Sequence, residues 1–352
     1  MKVGIYKSEF PAVQINRNEI YKRILKYNNI DFIELHIDEP DFWDKVKNVD
    51  LFLFRWAHVD DHHQIVSSIL PVIENYLNIK CFPNLDTCWH YDDKIKQYYL
   101  LKSLGYPIIE SYIFWEKENA LSWAEAANLP VVFKLKSGAG STNVILINKK
   151  REATKIINRM FGKGISSSYR IPHRGKVKYK NLEENLRYKF DQYVLNKVRQ
   201  IKPTIWQISK NYVLFQRFLP NNKFDTRVTT IGNRAFAYRR FVRDNDFRAS
   251  GSGKIDFNKD VIDKKFIQLA LQISKELGFQ SMAYDFLMNE NKQPEICEIS
   301  YTFVDHLINK CPGYWNENLE WHPGNFWPQY LHLKDALNLE NLKQPEITDI
   351  QS

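Results

Sequence analysis

Three stretches of this 352-residue chain hold residue types that do chemistry. The first is Lys134-Leu135-Lys136-Ser137-Gly138-Ala139-Gly140-Ser141. Small residues let backbone N–H groups approach phosphate oxygens, and a lysine on the strand before them adds a point charge. The stretch is not a Walker loop, which runs GxxxxGK and then Ser or Thr between a strand and a helix. Taken alone it reads first as an ordinary hairpin turn. The second is an acidic pair, Asp285 in Ala283-Tyr284-Asp285-Phe286 and Glu298 in Ile296-Cys297-Glu298-Ile299-Ser300. Neighbouring antiparallel strands can set two such carboxylates side by side, and a divalent cation relieves their repulsion. Mg2+ suits that arrangement because it takes one or two carboxylates plus phosphate oxygens in preference to an all-protein cage. Solvated strand acids are the plain alternative. The third stretch is rich in arginine: Arg227, Arg239, Arg240 and Arg243, then Asp246-Phe247-Arg248 and a Gly/Ser loop that ends at Lys254. Guanidiniums there suit negative charge developing on a transferred phosphoryl group. Strand alternation puts Arg240 on the face opposite Arg239 and Arg243, so not all of them can serve one site.

The elements that must carry these residues follow from periodicity. Val3 to Tyr6, Phe32 to Ile37 and Leu51 to Trp56 read as strands, with helices at Ile15 to Lys26 and His63 to Leu77, the pattern of a small parallel sheet covered by helices. Asp92 to Leu104 reads as an amphipathic helix stopped by Gly105 and Pro107. Val131 to Lys136 and Val144 to Ile147 form a hairpin around the small-residue tip, and Glu152 to Phe161 a helix. Tyr212 to Phe218, Thr226 to Ile231 and Arg234 to Val242 read as antiparallel strands, with Ile231-Gly232-Asn233-Arg234 turning between the last two. A helix at Lys264 to Leu277 precedes strands at Met282 to Met288 and Glu295 to Ser300. Periodicity weakens after Tyr330, where fraying is expected. The resulting division is an amino-terminal α/β domain over residues 1–90, a connecting helical part over 91–130, and a lid over 131–211 with a basic insertion at 165–205. A carboxyl-terminal antiparallel-sheet domain over 212–331 and a tail over 332–352 complete it.

Composition bounds the function classes. Apolar residues make up 44% and aromatics 14%, including nine Trp, which is ample for a folded core and excludes a disordered chain. No apolar run approaches the roughly 20 residues that span a bilayer, so no integral membrane association is expected. Four cysteines, scattered at Cys81, Cys88, Cys297 and Cys311, read as reduced thiols of a cytoplasmic protein rather than a disulfide framework. The net charge of +9 is concentrated: Arg170 to Lys202 holds ten Lys/Arg against three Asp/Glu, and the remainder is nearly balanced. A basic segment confined in this way does not argue for nucleic acid as the partner. His58, His62 and His63 match no metal-ligand spacing and are assigned no site.

In this order the pieces resemble the ATP-grasp superfamily, which includes glutathione synthetase, D-alanine:D-alanine ligase and peptide-glutamate ligases, over about Asp92 to Ser300. The resemblance implies an α/β ATP-grasp fold: an amino-terminal parallel α/β domain, a lid subdomain and a carboxyl-terminal antiparallel-sheet domain. It implies that Lys94, opening the Asp93-Lys94 to Gly105-Tyr106-Pro107 helix, reaches the nucleotide phosphates. It gives the same role to Lys134, ending Val131-Val132-Phe133-Lys134, with Lys136 a near neighbour and Ser137, Gly138, Gly140 and Ser141 as the loop. Val213 to Leu219 looks like the interdomain hinge, where Gln216, Phe218 and Leu219 hold the adenine and Asp225 approaches the ribose. Arg248, Arg240 and Lys254 fall at the acyl-phosphate end as catalytic residues, and Asp285, Glu298 and Ser300 at the metal. Ser300 and Ser250 stand where the family has asparagines. Phrases such as Trp89-His90-Tyr91-Asp92-Asp93-Lys94 and Cys311-Pro312-Gly313-Tyr314-Trp315 resemble an ATP-grasp group associated with surface-polysaccharide biosynthesis.

The activity so implied is an ADP-forming ligase with ATP and Mg2+ as cofactors, two ions in number, with Mn2+ as a substitute. It would join a carboxylate, of a small molecule or a saccharide, to an amine through an acyl phosphate. A homo-oligomer, a dimer for instance, is expected. The rivals are a peptide- or protein-modifying ligase, a small-molecule kinase and a non-catalytic ATP-binding module.

Overall fold

The computed structural model describes residues 1–7, 14–56, 60–138, 143–166, 208–244, 246–249 and 251–347. Residues 167–205 of the basic insertion, whose stretch from Leu182 to Val198 reads in the sequence as a helix, lie outside them, as do Gly140, Ser141, Ser250 and His58. The described residues divide into two compact units, one of residues 1–57, 62–110 and 219–352, the other of 58–61 and 111–218. No helix among them is long and apolar enough to cross a membrane.

The first unit begins with β1 (Lys2–Tyr6), α1 (Gln14–Tyr27), β2 (Asp31–Leu35), α2 (Phe42–Val46), β3 (Leu51–Leu53), α3 (Asp60–Pro71), β4 (Lys80–Phe82), α4 (Leu85–Cys88) and α5 (Lys94–Ser103). The four strands form a parallel sheet in the order β2-β1-β3-β4. Its central strands are short, nearly continuous apolar runs, as expected where both faces are covered. Ile20, Tyr21, Ile24 and Leu25 form the stripe of α1 that packs with Val3, Ile5, Leu51 and Leu53 of the sheet.

The second unit holds β5 (Ser111–Phe114), α6 (Lys117–Ala126), β6 (Val131–Lys134), β7 (Ile145–Ile147), α7 (Lys150–Met160), β8 (Ile165–Ser166), β9 (Ile208–Ser209) and β10 (Val213–Arg217). Its main sheet runs β5-β10-β6-β7 and is antiparallel. Trp123 of α6 stacks on Phe215 at 4.8 Å and lies against Tyr112 and Phe114, which gives this small sheet an aromatic core.

The chain then returns to the first unit with β11 (Phe224–Ile231), β12 (Arg234–Phe241), β13 (Ile255–Asp256), α8 (Lys264–Glu276), β14 (Ser281–Met288), β15 (Pro294–Ser300), α9 (Asp305–Lys310), β16 (Gly313–Trp315), β17 (Trp321–Pro323) and α10 (Pro328–Leu337). Seven strands form one sheet in the order β15-β14-β11-β12-β16-β17, with β13 on β12. Asp263 caps α8 by accepting from Lys265 N at 2.9 Å. Phe266, Ile267, Ala270, Leu271 and Ile273 of α8 are buried.

The segment after Tyr330 corrects the expectation of fraying. α10 is a regular helix, and Leu333, Ala336, Leu337 and Leu342 complete the core of the first sheet. His332 accepts from or donates to Tyr21 Oη at 2.8 Å, and Lys80 donates to Ala336 O. Leu331, His332, Leu333, Ala336 and Leu337 are all buried, and a helix enclosed on most sides has no polar face to produce the periodic signal.

Candidate functional site

In the first unit, register brings distant carboxylates and guanidiniums onto one face of the seven-stranded sheet. Asp225 on β11 is the partner of Arg240 on β12, Arg227 on β11 is the partner of Asp285 on β14, and Asp285 is the partner of Glu298 on β15. Alternation along each strand points all of these side chains the same way. Arg240 donates to both oxygens of Asp225 at 2.7 and 2.6 Å, and its Nη2 also lies 2.8 Å from Asp285 Oδ2. Arg227 donates to both oxygens of Asp285 at 2.7 and 2.8 Å. These are the fork-to-fork pairs that hold a carboxylate most firmly. Arg239, on the other face, lies over the Phe224 ring and donates to Val261 O.

A bulge in β15 sets Glu298. The register runs Asp285↔Glu298 and then Phe286↔Ile296, so Cys297 is the extra residue. Ile296 therefore faces with Phe286 into the interior, while Glu298, two positions on, faces with Asp285. Lys94 meets it: Nζ is 3.1 Å from Glu298 Oε1, with the lysine side chain 10% exposed and the glutamate 33%. Lys94 is the first residue of α5, whose cap Asp93 accepts from Ile95 N and Lys96 N at 3.1 and 3.2 Å. The cap fixes the helix start and so fixes where the lysine leaves it.

Burial and neighbouring charge divide the two aspartates. Burial raises Asp285, but Arg227 and then Arg240 outweigh it and hold the carboxyl below the usual range. Asp225 goes the other way, because burial and the adjacent Asp285 charge outweigh the attraction of Arg240. The group of four thus keeps Asp285 ionised while the second carboxylate carries the strain of the crowding.

The remaining residues singled out in this unit are spread more widely. Ser300 Oγ donates to Thr302 O at 2.8 Å and accepts from Thr302 N at 3.2 Å, which folds the strand end back on itself. Arg248 binds Asp246 through Nε at 2.9 Å and Nη2 at 2.6 Å. Lys254 pairs with Asp244 at 2.8 Å on the exposed surface. Leu219 is buried.

In the second unit, Lys134 ends β6 with its Nζ buried and donating to Gln216 Oε1 at 2.6 Å, and Gln216 in turn donates to Ser111 Oγ at 3.4 Å. β6 and β10 are adjacent, and this pair of residues is held by that adjacency. Lys136 lies over the Tyr212 ring, and its backbone N–H donates to Tyr212 Oη at 2.9 Å. Ser137 and Gly138 begin the loop. Gly138 has φ +116°, a conformation side chains rarely adopt, with open space where a Cβ would point. Phe218 ends this unit, and the division falls between it and Leu219, inside the stretch read as a hinge.

The donor set fits a hard divalent ion of the Mg2+ kind. No group of three His, Cys, Asp or Glu among the described residues forms an all-protein cage, whereas Glu298 is partly open beside Asp285, which suits an ion completed by phosphate oxygens and water. Arg17, Arg55 and Asp305, which carry no sequence motif, form a further polar cluster in the first unit.

No protein family and no curated protein matches the chain at the level of sequence. Solved structures do. A RimK domain ATP-grasp protein from Sphaerobacter thermophilus matches at TM-score 0.51 and 11% identity, over 87% of this chain and 93% of that one. D-alanine–D-alanine ligase from Bacillus anthracis, also solved complexed with ATP, matches at TM-score 0.51 and 14% identity, over 86% of each chain. The biotin carboxylase domain dimer of 2-oxoglutarate carboxylase from Hydrogenobacter thermophilus, solved with MgADP, ADP and bicarbonate, matches at TM-score 0.56 and 11% identity, over 96% of this chain and 69% of that one. The chain has the ATP-grasp fold.

Proposed function

We propose that this protein is an ATP-dependent ligase that joins a carboxylate to an amine through an acyl phosphate. The observation that carries the reading is the row Lys94, Glu298, Asp285, Arg227 and Arg240, in which two guanidiniums, an ammonium and two carboxylates share one sheet face. In the reaction a carboxylate oxygen of the substrate attacks the γ-phosphorus of ATP, the bond to the bridging oxygen breaks and ADP leaves. The nitrogen of an amine then attacks the acyl carbon, phosphate departs, and the nitrogen loses a proton to give the amide. Such a reaction needs positioning and charge neutralisation more than a covalent nucleophile.

Mg2+, two ions in this reading, would be held by Glu298 and Asp285, with Ser300 beside them, and would neutralise phosphate charge. Lys94 and Lys134 are assigned to phosphate oxygens, Lys136, Ser137, Gly138, Gly140 and Ser141 to the loop around them, and Gln216, Phe218, Leu219 and Asp225 to the nucleoside. Arg240 and Arg248, with Lys254, are assigned to the acyl phosphate, since guanidinium forks match its planar oxygens. Structures of similar fold solved with ATP and with MgADP support the cofactors, and the dimer among them supports a homo-oligomer. The acid is proposed to be a sugar carboxylate or an amino acid of surface-polysaccharide synthesis, on the resemblance of the phrases quoted above.

The test is a screen of acids and amines for ADP release, with hydroxylamine added to trap the activated acyl group. A hydroxamate formed only with ATP and Mg2+ is the expected result. Phosphate transferred to a hydroxyl, with no amine required for turnover, would replace the ligase with a kinase.

A further inference from the structure

Arg17 and Arg55 lie within the first unit at a place where open parallel sheets take ligands. In the order β2-β1-β3-β4 the chain leaves β1 for one side and comes back to the other at β3, so the direction of connection reverses between those two strands. Ligands of such sheets bind outside the carboxyl ends of the strands at that reversal. Arg55 follows the end of β3, and Arg17 lies in the first turn of α1, the helix after β1.

The two guanidiniums share one acid. Arg17 Nη2 is 3.2 Å from Asp305 Oδ1, and Arg55 Nη1 is 4.0 Å from Asp305 Oδ2. Asp305 is held from behind by Gln329 Nε2 at 2.8 Å. Arg17 is 5% exposed, and its Nε–H is buried without an acceptor. An orphaned donor of that kind on a charged group is costly, and an anion would satisfy it. Burial and then the Arg17 charge push the Arg55 guanidinium down from its ordinary range, so a negative partner is favoured there as well.

The surroundings connect this cluster to the acidic row. Tyr301 Oη accepts from Trp56 N at 3.0 Å, and Tyr91 Oη accepts from Thr302 Oγ1 at 3.1 Å. Thr302 is joined to Ser300, two residues from Glu298, and Tyr91 packs edge-on against Tyr301 at 4.7 Å.

We propose that Arg17 and Arg55 form a carboxylate-binding site, and that one substrate of the ligase presents a carboxylate group to it. The site already accommodates the carboxylate of Asp305, so a ligand of the same chemistry fits its donors. This rests on the ligase reading for the identity of the ligand, while the anion site itself can be tested without nucleotide.

The probe is malonate, titrated into the full chain by calorimetry at constant ionic strength, against chloride as the control. Wild type should bind malonate, and Arg55→Gln should bind it about tenfold to a hundredfold more weakly, the span expected when a charge-assisted bond is lost. Asp305→Asn removes the internal competitor and should tighten malonate about tenfold. A purely structural ion pair predicts the opposite, since Asp305→Asn would then loosen the cluster and gain no affinity. Equal affinity in wild type and Arg55→Gln, or no binding in wild type, overturns the proposal. Glycine and propionate then separate the sources: tighter glycine identifies the amine substrate as the carboxylate carrier, and equal or tighter propionate identifies the acid. MgATP binding is measured in parallel, and its absence in wild type would remove the ligase reading while leaving the malonate result standing.

Discussion

Replacing Asp285 with asparagine tests the row of charges at its centre. Arg227 and Arg240 bring two positive charges to the sheet face, and Asp225 and Asp285 bring two negative ones, all on side chains 9–16% exposed. Asp285→Asn keeps the shape but leaves a single carboxylate for two buried guanidiniums. Removing one partner of a buried pair costs about 3–5 kcal/mol, because the charge left behind has lost both water and its counter-ion. Arg227→Met together with Asp285→Leu restores the balance, leaving Arg240 with Asp225, so the double variant should lose less than the single one. The assay is urea denaturation followed by tryptophan fluorescence and circular dichroism. Acidity supplies an independent arm. The folded carboxyl of Asp285 is depressed relative to the unfolded chain, so its contribution is present above the ordinary carboxylate range and is lost as pH falls through the lower folded value. Asp285→Asn should therefore flatten the acid limb of the stability curve. A loss below about 1 kcal/mol for the single variant, or a double variant weaker than the single, would refute the charge balance.

Three further outcomes are expected. Glu298→Gln should abolish Mg2+-dependent ADP formation yet change stability by less than about 1 kcal/mol, because its pair with Lys94 is partly exposed; full turnover would strike Glu298 from the metal site. Lys134→Ala should weaken ATP about tenfold or more in calorimetry, since it deletes a buried ammonium, and unchanged affinity would remove that lysine from the nucleotide site. His90 is buried, neither ring nitrogen has a partner in another residue, and burial followed by the Lys96 charge lowers it to about 3. A histidine lowered in the folded state costs stability as pH falls below its unfolded value near 6.5, by about 2–3 kcal/mol at pH 4.5. His90→Phe should recover most of that loss in acid denaturation; identical pH curves for the two proteins would contradict the assignment.

Much of this architecture is legible from periodicity. The strands around Asp285 and Glu298, the hairpin turn at Gly232 and the helix at Lys264–Glu276 follow from alternation and capping residues alone. Pairing is less legible. The turn from Ile231 to Arg234 fixes β11 against β12, and hence Asp225 against Arg240, but Arg227 and Asp285 are 58 residues apart and meet only through the register of β11 on β14. The bulge at Cys297 left no signal, because Ile296 and Glu298 look like neighbours on one face. Short pieces such as Lys80–Phe82 and Ser111–Phe114 were too brief to show a period. Arg55 meets Phe303 across 248 residues of sequence, and no local pattern announces such a meeting.

The closing helix, α10, has a consequence for how the protein is made. Its leucines complete the hydrophobic filling beneath the first sheet, whose strands all lie within the opening 82 residues. During synthesis that sheet emerges from the ribosome long before its cover does. Until α10 and Leu342 have themselves left the ribosome the amino-terminal segment lacks that part of its apolar cover, and a chaperone that binds exposed apolar segments has that interval in which to act.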